Sequence, residues 1–427
     1  MLHILSSDFF DFEFLRILGT APFHGSDVGE CLEAGEHIRN NDPESWYKAW
    51  TGAAEKAEAQ AVEARRTGDV EAARWAFLRA SNYRRSSEFL LHHLPHDPRL
   101  LRSVEQATAN FKQACRLFDS PVIELEIPYG HGTMLPAYLY LPTSFTGDRA
   151  PVIVNTGGFD SIQEELYYYT ASGARTRGYA TLSFEGPGQG LMLRRNKLSL
   201  RPDWEVVIAA VLDELFHAAQ AHPQWRLDLA RIAVLGASMG GYFALRGATD
   251  SRVKACVAID GFYDLGAAVR ERIPSPVLTA MERGYVPDAV FNGLFSIMAS
   301  LNFQTRWEFG HAMLAFGVDS PAAVLREFNR YTLRPAGDAE TIVSRIRCPV
   351  LVTGSRETLY FRPETSACRI YDGLTQLKEG DEKSLWIPTG VGQGSLQAKV
   401  AATAHLHFKA FAWLDQVFGI ERNDVDN

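Results

Sequence analysis

Ile232-Ala-Val-Leu-Gly-Ala-Ser-Met-Gly-Gly-Tyr-Phe-Ala-Leu-Arg-Gly-Ala248 is the stretch that decides how this chain folds. Four apolar residues, Ile232 to Leu235, form a short strand. Gly236-Ala237-Ser238-Met239-Gly240 is a turn, and small residues from Gly241 to Ala248 open a helix. A turn this tight brings two backbones together, so only small residues fit beside its tip. The Ser at the tip projects its hydroxyl above a sheet, and the N-terminus of the following helix favours a developing anion. Gly-x-Ser-x-Gly alone is common by chance, and the plain alternative is a packing turn. The strand–turn–helix context makes Ser238 the candidate nucleophile.

Outward from this turn, short apolar strands alternate with helical stretches. The strands are Pro151–Val154, Ala180–Phe184, Ile232–Leu235, Ala255–Ile259, Val350–Thr353 and Leu385–Ile387. Such alternation predicts a mostly parallel sheet with helices on both faces. Ahead of it, Val122 to Ile127 and Leu135 to Leu141 flank the turn Tyr129-Gly-His-Gly132 and read as a β-hairpin. With a nucleophile turn after a central strand, the fold class is α/β, of the α/β-hydrolase type. The long gap between Asp260 and Pro349 exceeds any ordinary crossover and is rich in aromatics. Residues 264–340 are therefore expected to be an inserted helical cap, with the stretch from Val286 to Phe303 as its core. Residues 121–263 and 341–427 are the two parts of the α/β core.

Residues 1–120 read as mostly helical. Trp46 and Trp50 share one helix face, Gly68-Asp69 breaks the pattern, and apolar residues from Ala72 to Leu90 recur at helical spacing. Pro95 and Pro98 end that helix, and a third runs to about Phe118. Residues 1–120 are expected to be a helical N-terminal lid region.

Acyl chemistry needs backbone N–H groups aimed at the developing oxyanion. One donor is expected from Met239, after the nucleophile. The other is expected from Gly158 or Phe159, in the loop Thr156-Gly-Gly-Phe-Asp160 that follows an earlier strand. Glu185, in Phe184-Glu-Gly-Pro-Gly-Gln-Gly190, is read as a loop-shaping residue. In this fold the acid and then a His follow the Ser in the chain. Glu357 lies three residues past Gly354, a usual place for the acid; Asp260 and Asp264 are the alternatives. For the base, the loop after Leu385-Trp-Ile387 carries no His. The later His405 and His407 are the candidates, with His24 and His131 as outside ones. Tyr167-Tyr168-Tyr169 lines a pocket or packs a helix. His92, His93 and His96 are read as surface residues.

The composition sets outer limits. The chain has 427 residues, 46% hydrophobic and 22% charged, which suits a globular protein of more than one unit. A net charge of −8 and the lack of any basic run argue against a nucleic-acid partner. Five cysteines with no C-x-x-C pair resemble neither a disulfide framework nor a zinc site, and fit a reducing, cytoplasmic setting. Cys256 and Cys348 fall in strand-like runs and are expected in the core. No secretory signal and no membrane span are expected.

Taken with the helical N-terminal region, Gly157-Gly-Phe-Asp-Ser161, Phe184-Glu-Gly-Pro-Gly-Gln-Gly190 and Gly236-Ala-Ser-Met-Gly-Gly241 resemble the fungal secondary-metabolism α/β hydrolases of the fusarin and cytochalasan type. More distantly they are similar to dihydroxypseudooxynicotine hydrolase and the chain-shortening hydrolase of melanin synthesis. Gly394-Ser-Leu-Gln-Ala-Lys399, Phe411-Ala-Trp-Leu-Asp415 and Phe418-Gly-Ile420 look like the fusarin-type branch. The resemblance implies a Ser nucleophile, carried to Ser238, a helical lid, homodimers, a small-molecule substrate and no metal or other cofactor. The distant relatives cleave carbon–carbon bonds beside a carbonyl. Their pattern has Asp where this chain has Glu357 and His where it has Gly394-Ser395. Three functions therefore stand: a serine hydrolase acting on a carbonyl-bearing polyketide or polyketide–peptide, cleaving a carbon–carbon bond or an ester; a cyclase or condensation catalyst on the same fold; and a binding protein with an eroded triad.

Overall fold

The computed structural model describes residues 3–130, 132–145, 147–272, 275–334, 340–380 and 382–422. His131, an outside candidate above, lies outside them. The chain divides into two compact units. One comprises Met1–Ala114, Pro187–Pro202 and Asp264–Thr332; the other comprises Cys115–Gly186, Asp203–Tyr263 and Leu333–Asn427.

The second unit is built on eight strands: β1 (Val122–Pro128), β2 (Met134–Tyr140), β3 (Ala150–Thr156), β4 (Ala180–Phe184), β5 (Leu227–Ala237), β6 (Ala255–Ile259), β7 (Val350–Thr353) and β8 (Lys383–Trp386). Their order is β1-β2-β4-β3-β5-β6-β7-β8. β1 and β2 form the expected antiparallel hairpin, β2 also runs antiparallel to β4, and every other pair is parallel. This is the α/β-hydrolase sheet. β3, β4 and β6 are buried along their whole length, as strands covered on both faces must be. On one face Ile153, Leu235, Val257 and Leu351 pack with Leu406, Phe411 and Leu414 of the last helix, Thr403–Phe418. On the helix pair Glu205–Ala221 and Met239–Gly247, Gly247 lies so near Ile208 that a Cβ would sit 2.7 Å from its side chain. Cys256 and Cys348 are buried, and all five cysteines are free thiols.

Because β3 and β5 to β8 are parallel, their C-terminal ends share one edge. Thr156 pairs with Gly236, and Ala237 with Ile259. The loops that follow these strands are thereby gathered together, which is where sites form in open parallel sheets.

In the helical unit, local chemistry sets the helix boundaries. Asp42 caps the helix Pro43–Thr67 by accepting from the N–H groups of Glu44 and Ser45. Gly68 ends it at φ +81°, a conformation that favours glycine, and Asp69 caps the next helix, Val70–Phe89. Trp46 and Trp50 are both buried with ring centroids 5.7 Å apart, and Tyr83 closes on Trp50. The N-terminal helices share their unit with Pro187–Pro202 and Asp264–Thr332. Phe9 and Phe10 meet Phe303, and Phe89 meets Trp307, so residues far apart in the chain share one core. The stretch from Val286 to Phe303 is only partly core. On the helix Asp288–Leu301, Phe291, Phe295 and Ala299 are buried, whereas Val290, Leu294, Ile297 and Leu301 are exposed. A helix apolar on every side has more than one face to cover, and one face here stays in solvent.

His92 also departs from its reading as a surface residue. It is fully buried, with Nε2 2.7 Å from Glu88 Oε2 and 2.6 Å from Nη2 of Arg194. His311 stacks on it at 4.6 Å. Glu88 stands four residues before His92, a helical spacing that was visible in the sequence. Arg194 and His311 were not, because each comes from a separate stretch of chain. None of the described helices is long and apolar enough to cross a membrane.

Candidate active site

At the end of β5 the chain turns on Ser238, which has φ +56° and ψ −120°. A non-glycine residue there costs about 1–3 kcal/mol, so its surroundings must enforce it. The packing shows how. A Cβ on Gly236 would lie 2.2 Å from the carbonyl oxygen of Gly240, and one on Gly240 would lie 2.7 Å from that of Thr156. Strand, turn and helix touch backbone to backbone, and the Ser238 amide is held by the carbonyl of Ile259 at 2.8 Å. Ser238 is partly exposed, and among the described residues nothing hydrogen-bonds its hydroxyl.

The Gly157-Gly158 loop lies against this turn. A Cβ on Gly158 would stand 3.2 Å from the carbonyl of Ala237 and 3.4 Å from the amide of Gly240. The loop is anchored from below, where Trp204 stacks on Phe243 at 3.8 Å and donates to the Thr156 hydroxyl at 3.0 Å. Met239 is the first residue of its helix, so its N–H has no intrahelical acceptor. The Gly158 N–H donates to Ser161 Oγ at 3.3 Å, while Phe159 is half-buried. Glu185 is buried and accepts from the amide of Gln163 at 3.4 Å, shaping the start of the next helix. Tyr167, Tyr168 and Tyr169 are all buried in a π-helical turn, as packing residues.

Glu357 follows β7 and is exposed. Its partner is a serine: Ser395 Oγ donates to Glu357 Oε1 at 2.8 Å, and the Glu357 amide donates to the Ser395 carbonyl at 3.0 Å. Ser395 thus stands directly against Glu357. Asp264 is occupied elsewhere, accepting from the amide of Ala267 and from Thr332 Oγ1 near the helix Leu265–Arg272. Asp260 is buried at the end of β6. Its carboxylate accepts from Thr353 Oγ1 at 2.6 Å, Ser355 Oγ at 2.5 Å and Lys399 Nζ at 2.8 Å.

Neither His405 nor His407 hydrogen-bonds the Ser238 hydroxyl. The last helix starts at Thr403, so His405 lies in its first turn. There its ring packs on Trp386 and Phe408. His24 is exposed and stacked on Trp75. His407 is buried behind the sheet, where its Nε2 donates to the carbonyl of Tyr169 at 2.9 Å. Gly173 makes room for it, since a Cβ there would lie 2.2 Å from Nδ1.

Burial pulls the His407 imidazole down from 6.5 to about 4. The folded state keeps this ring neutral, and the unfolded chain takes up a proton first. Its contribution is complete above pH 6.5 and drains away as pH falls toward 4. The full span corresponds to about 3 kcal/mol. Urea unfolding at pH 7 and pH 4.5 should therefore show the wild type losing more stability than His407→Gln; equal losses would dismiss this titration.

Among the described residues, Lys399, Asp260 and Ser395 are the members of this edge that sequence reasoning left out or assigned differently. The available signal was Lys399 itself, a lone charge in the run Ala398-Lys399-Val400-Ala401-Ala402. Also among the described residues, no cluster of His, Cys, Asp and Glu is arranged to hold a metal.

Comparison with known proteins agrees with this architecture. Residues 38–279 match the family model described as esterase FrsA-like. The chain is 48% identical to the alpha/beta hydrolase psoB of Aspergillus fumigatus, over 99% of this chain and 96% of that one. It is also 48% identical to the 20-hydroxy-prefusarin hydrolase FUS2 of Gibberella moniliformis, over 99% of this chain and 100% of that one. The crystal structure of 2,6-dihydroxy-pseudo-oxynicotine hydrolase superposes with a TM-score of 0.70 at 20% identity, covering 94% of this chain and 96% of that one. Matches of this extent make the chain a member of the FrsA-like family of α/β hydrolases, alongside fungal secondary-metabolism hydrolases.

Proposed function

We propose that this protein is a serine-nucleophile hydrolase acting on a carbonyl-bearing polyketide or polyketide–peptide intermediate of a fungal secondary metabolite. Ser238 adds to the carbonyl carbon. The Met239 N–H and the Gly158–Phe159 loop receive the oxyanion; the Glu357 carboxylate, oriented by Ser395, takes the Ser238 proton and returns it to the leaving group, and water then releases the acyl group from Ser238. The bond cleaved is a carbon–carbon bond beside a ketone or an ester. The observation that carries this reading is the strained φ of +56° at Ser238, held at a turn against which the Gly157-Gly158 loop is packed. Strain of this kind at a partly exposed hydroxyl is typical of functional residues. The 20-hydroxy-prefusarin hydrolase among the relatives supports a substrate of this class.

The test is covalent. A fluorophosphonate probe should label the protein once, and peptide mapping should find the adduct on Ser238. A second reading draws on the Glu357–Ser395 contact, which leaves the acid without an imidazole. In it the same oxyanion donors stabilise an enolate during ring closure or condensation, and no acyl-enzyme forms. An intact protein that resists the probe would favour this second reading.

A further inference from the structure

The segment from Gly394 to Ala402 holds an unusual amount of backbone tension. Ala398, Lys399 and Ala401 all have positive φ, at 56°, 58° and 63°. Asp260, at the end of β6, has φ 49°. Residues other than glycine adopt this region only where surrounding contacts over-determine it. The contacts here converge on one ammonium group. Lys399 is fully buried, and its Nζ donates to Asp260 Oδ1 at 2.8 Å, to the Gly354 carbonyl at 2.9 Å and to Ser355 Oγ at 3.3 Å. Three donors meet three acceptors. The lysine stem runs past Gly394, where a Cβ would lie 2.8 Å from its Cδ, and Nζ sits 5.0 Å from the Trp386 ring centroid. Gln397 adds a second tie, donating to the Asp260 carbonyl at 3.0 Å.

Both ends of this clamp lead to the candidate active site. Asp260 follows Ile259, whose carbonyl holds the Ser238 amide, and Gly261 abuts Gly241 at 3.0 Å from a built Cβ. On the other side, the clamped segment carries Ser395, the partner of Glu357. We propose that Lys399 is the positioning residue of this site: its ion pair with Asp260 locks the nucleophile turn and the Glu357–Ser395 pair into one register. The inference rests on the Ser238 reading above. Lys399 touches no reacting atom; it acts through Asp260 and through the backbone.

A buried charge left without its partner destabilises a protein, whereas replacing both members of a pair is often neutral. The informative variant is therefore the neutral double, Asp260→Asn with Lys399→Met. It should melt cooperatively. Its maximal rate of fluorophosphonate labelling at Ser238 should fall about 10²-fold, as expected when reacting groups lose their register. The probe concentration giving half-maximal rate should stay near that of the wild type. Asp260→Asn alone gives the same readout should the double variant fail to fold, because the buried amine can shed its proton. A folded variant labelled at the wild-type rate overturns the positioning role. A wild type that takes no label at all overturns the nucleophile reading instead, so the two failures are distinct.

Discussion

Ser238→Ala should lower turnover of an activated ester such as p-nitrophenyl butyrate by at least about 10³-fold, with the unfolding midpoint in urea unchanged. The two halves of this expectation have separate causes. The hydroxyl makes no hydrogen bond to any described residue, so its removal leaves nothing unsatisfied. Alanine bears the same strain at φ +56° as serine, so the turn is no easier or harder to form. What disappears is the atom that adds to the carbonyl, while the oxyanion donors remain and give residual catalysis. Ser238→Gly supplies the matching control. It removes the same oxygen and also relieves the strain, so it should be inactive and more stable than the wild type. Full turnover in either variant would refute the assignment.

Arg194→Met should destabilise the protein by about 3–5 kcal/mol in urea unfolding, the usual consequence of stranding one member of a buried pair. Arg194 and Glu88 are both nearly inaccessible, and Nη2 of Arg194 reaches Glu88 at 2.9 and 3.2 Å. Burial already pushes the Glu88 carboxyl above its ordinary value, against the pull of Arg194. Without the guanidinium, that buried carboxylate keeps His92, itself packed against Phe89, Trp307 and His311, and the weaker pull of Arg85. Adding Glu88→Gln to the same chain should recover most of the loss. If the single variant unfolds with the wild-type midpoint, the ion pair contributes nothing to stability.

Much of the fold was legible because its signals are local. The nucleophile turn is announced within a few residues by Gly236 and Gly240, and the helix break by Gly68-Asp69. Strand alternation was enough to identify the parallel sheet. The site was legible only where it is local in the same way. Glu357 falls where the strand end puts it, and the loop glycines fall beside the turn. The Lys399–Asp260 pair joins residues 139 apart, and no spacing rule connects them. His407 looked like a base because it is a late histidine, yet its place is decided by the gap at Gly173, which only packing reveals. The stretch from Val286 to Phe303 shows the reverse failure: apolar composition says that a helix has faces to cover, not how many of them are covered.

The core shared by Phe9, Phe10, Phe89, Phe303 and Trp307 bears on how the chain is made. The first helices emerge from the ribosome long before the helix Phe303–Phe316 that completes their core. Contacts of such high sequence separation are slow to form and costly in chain entropy. Through most of synthesis the aromatic faces of those helices stand open, and it is during that interval, rather than after folding, that the nascent protein is most exposed to aggregation and most in need of chaperones.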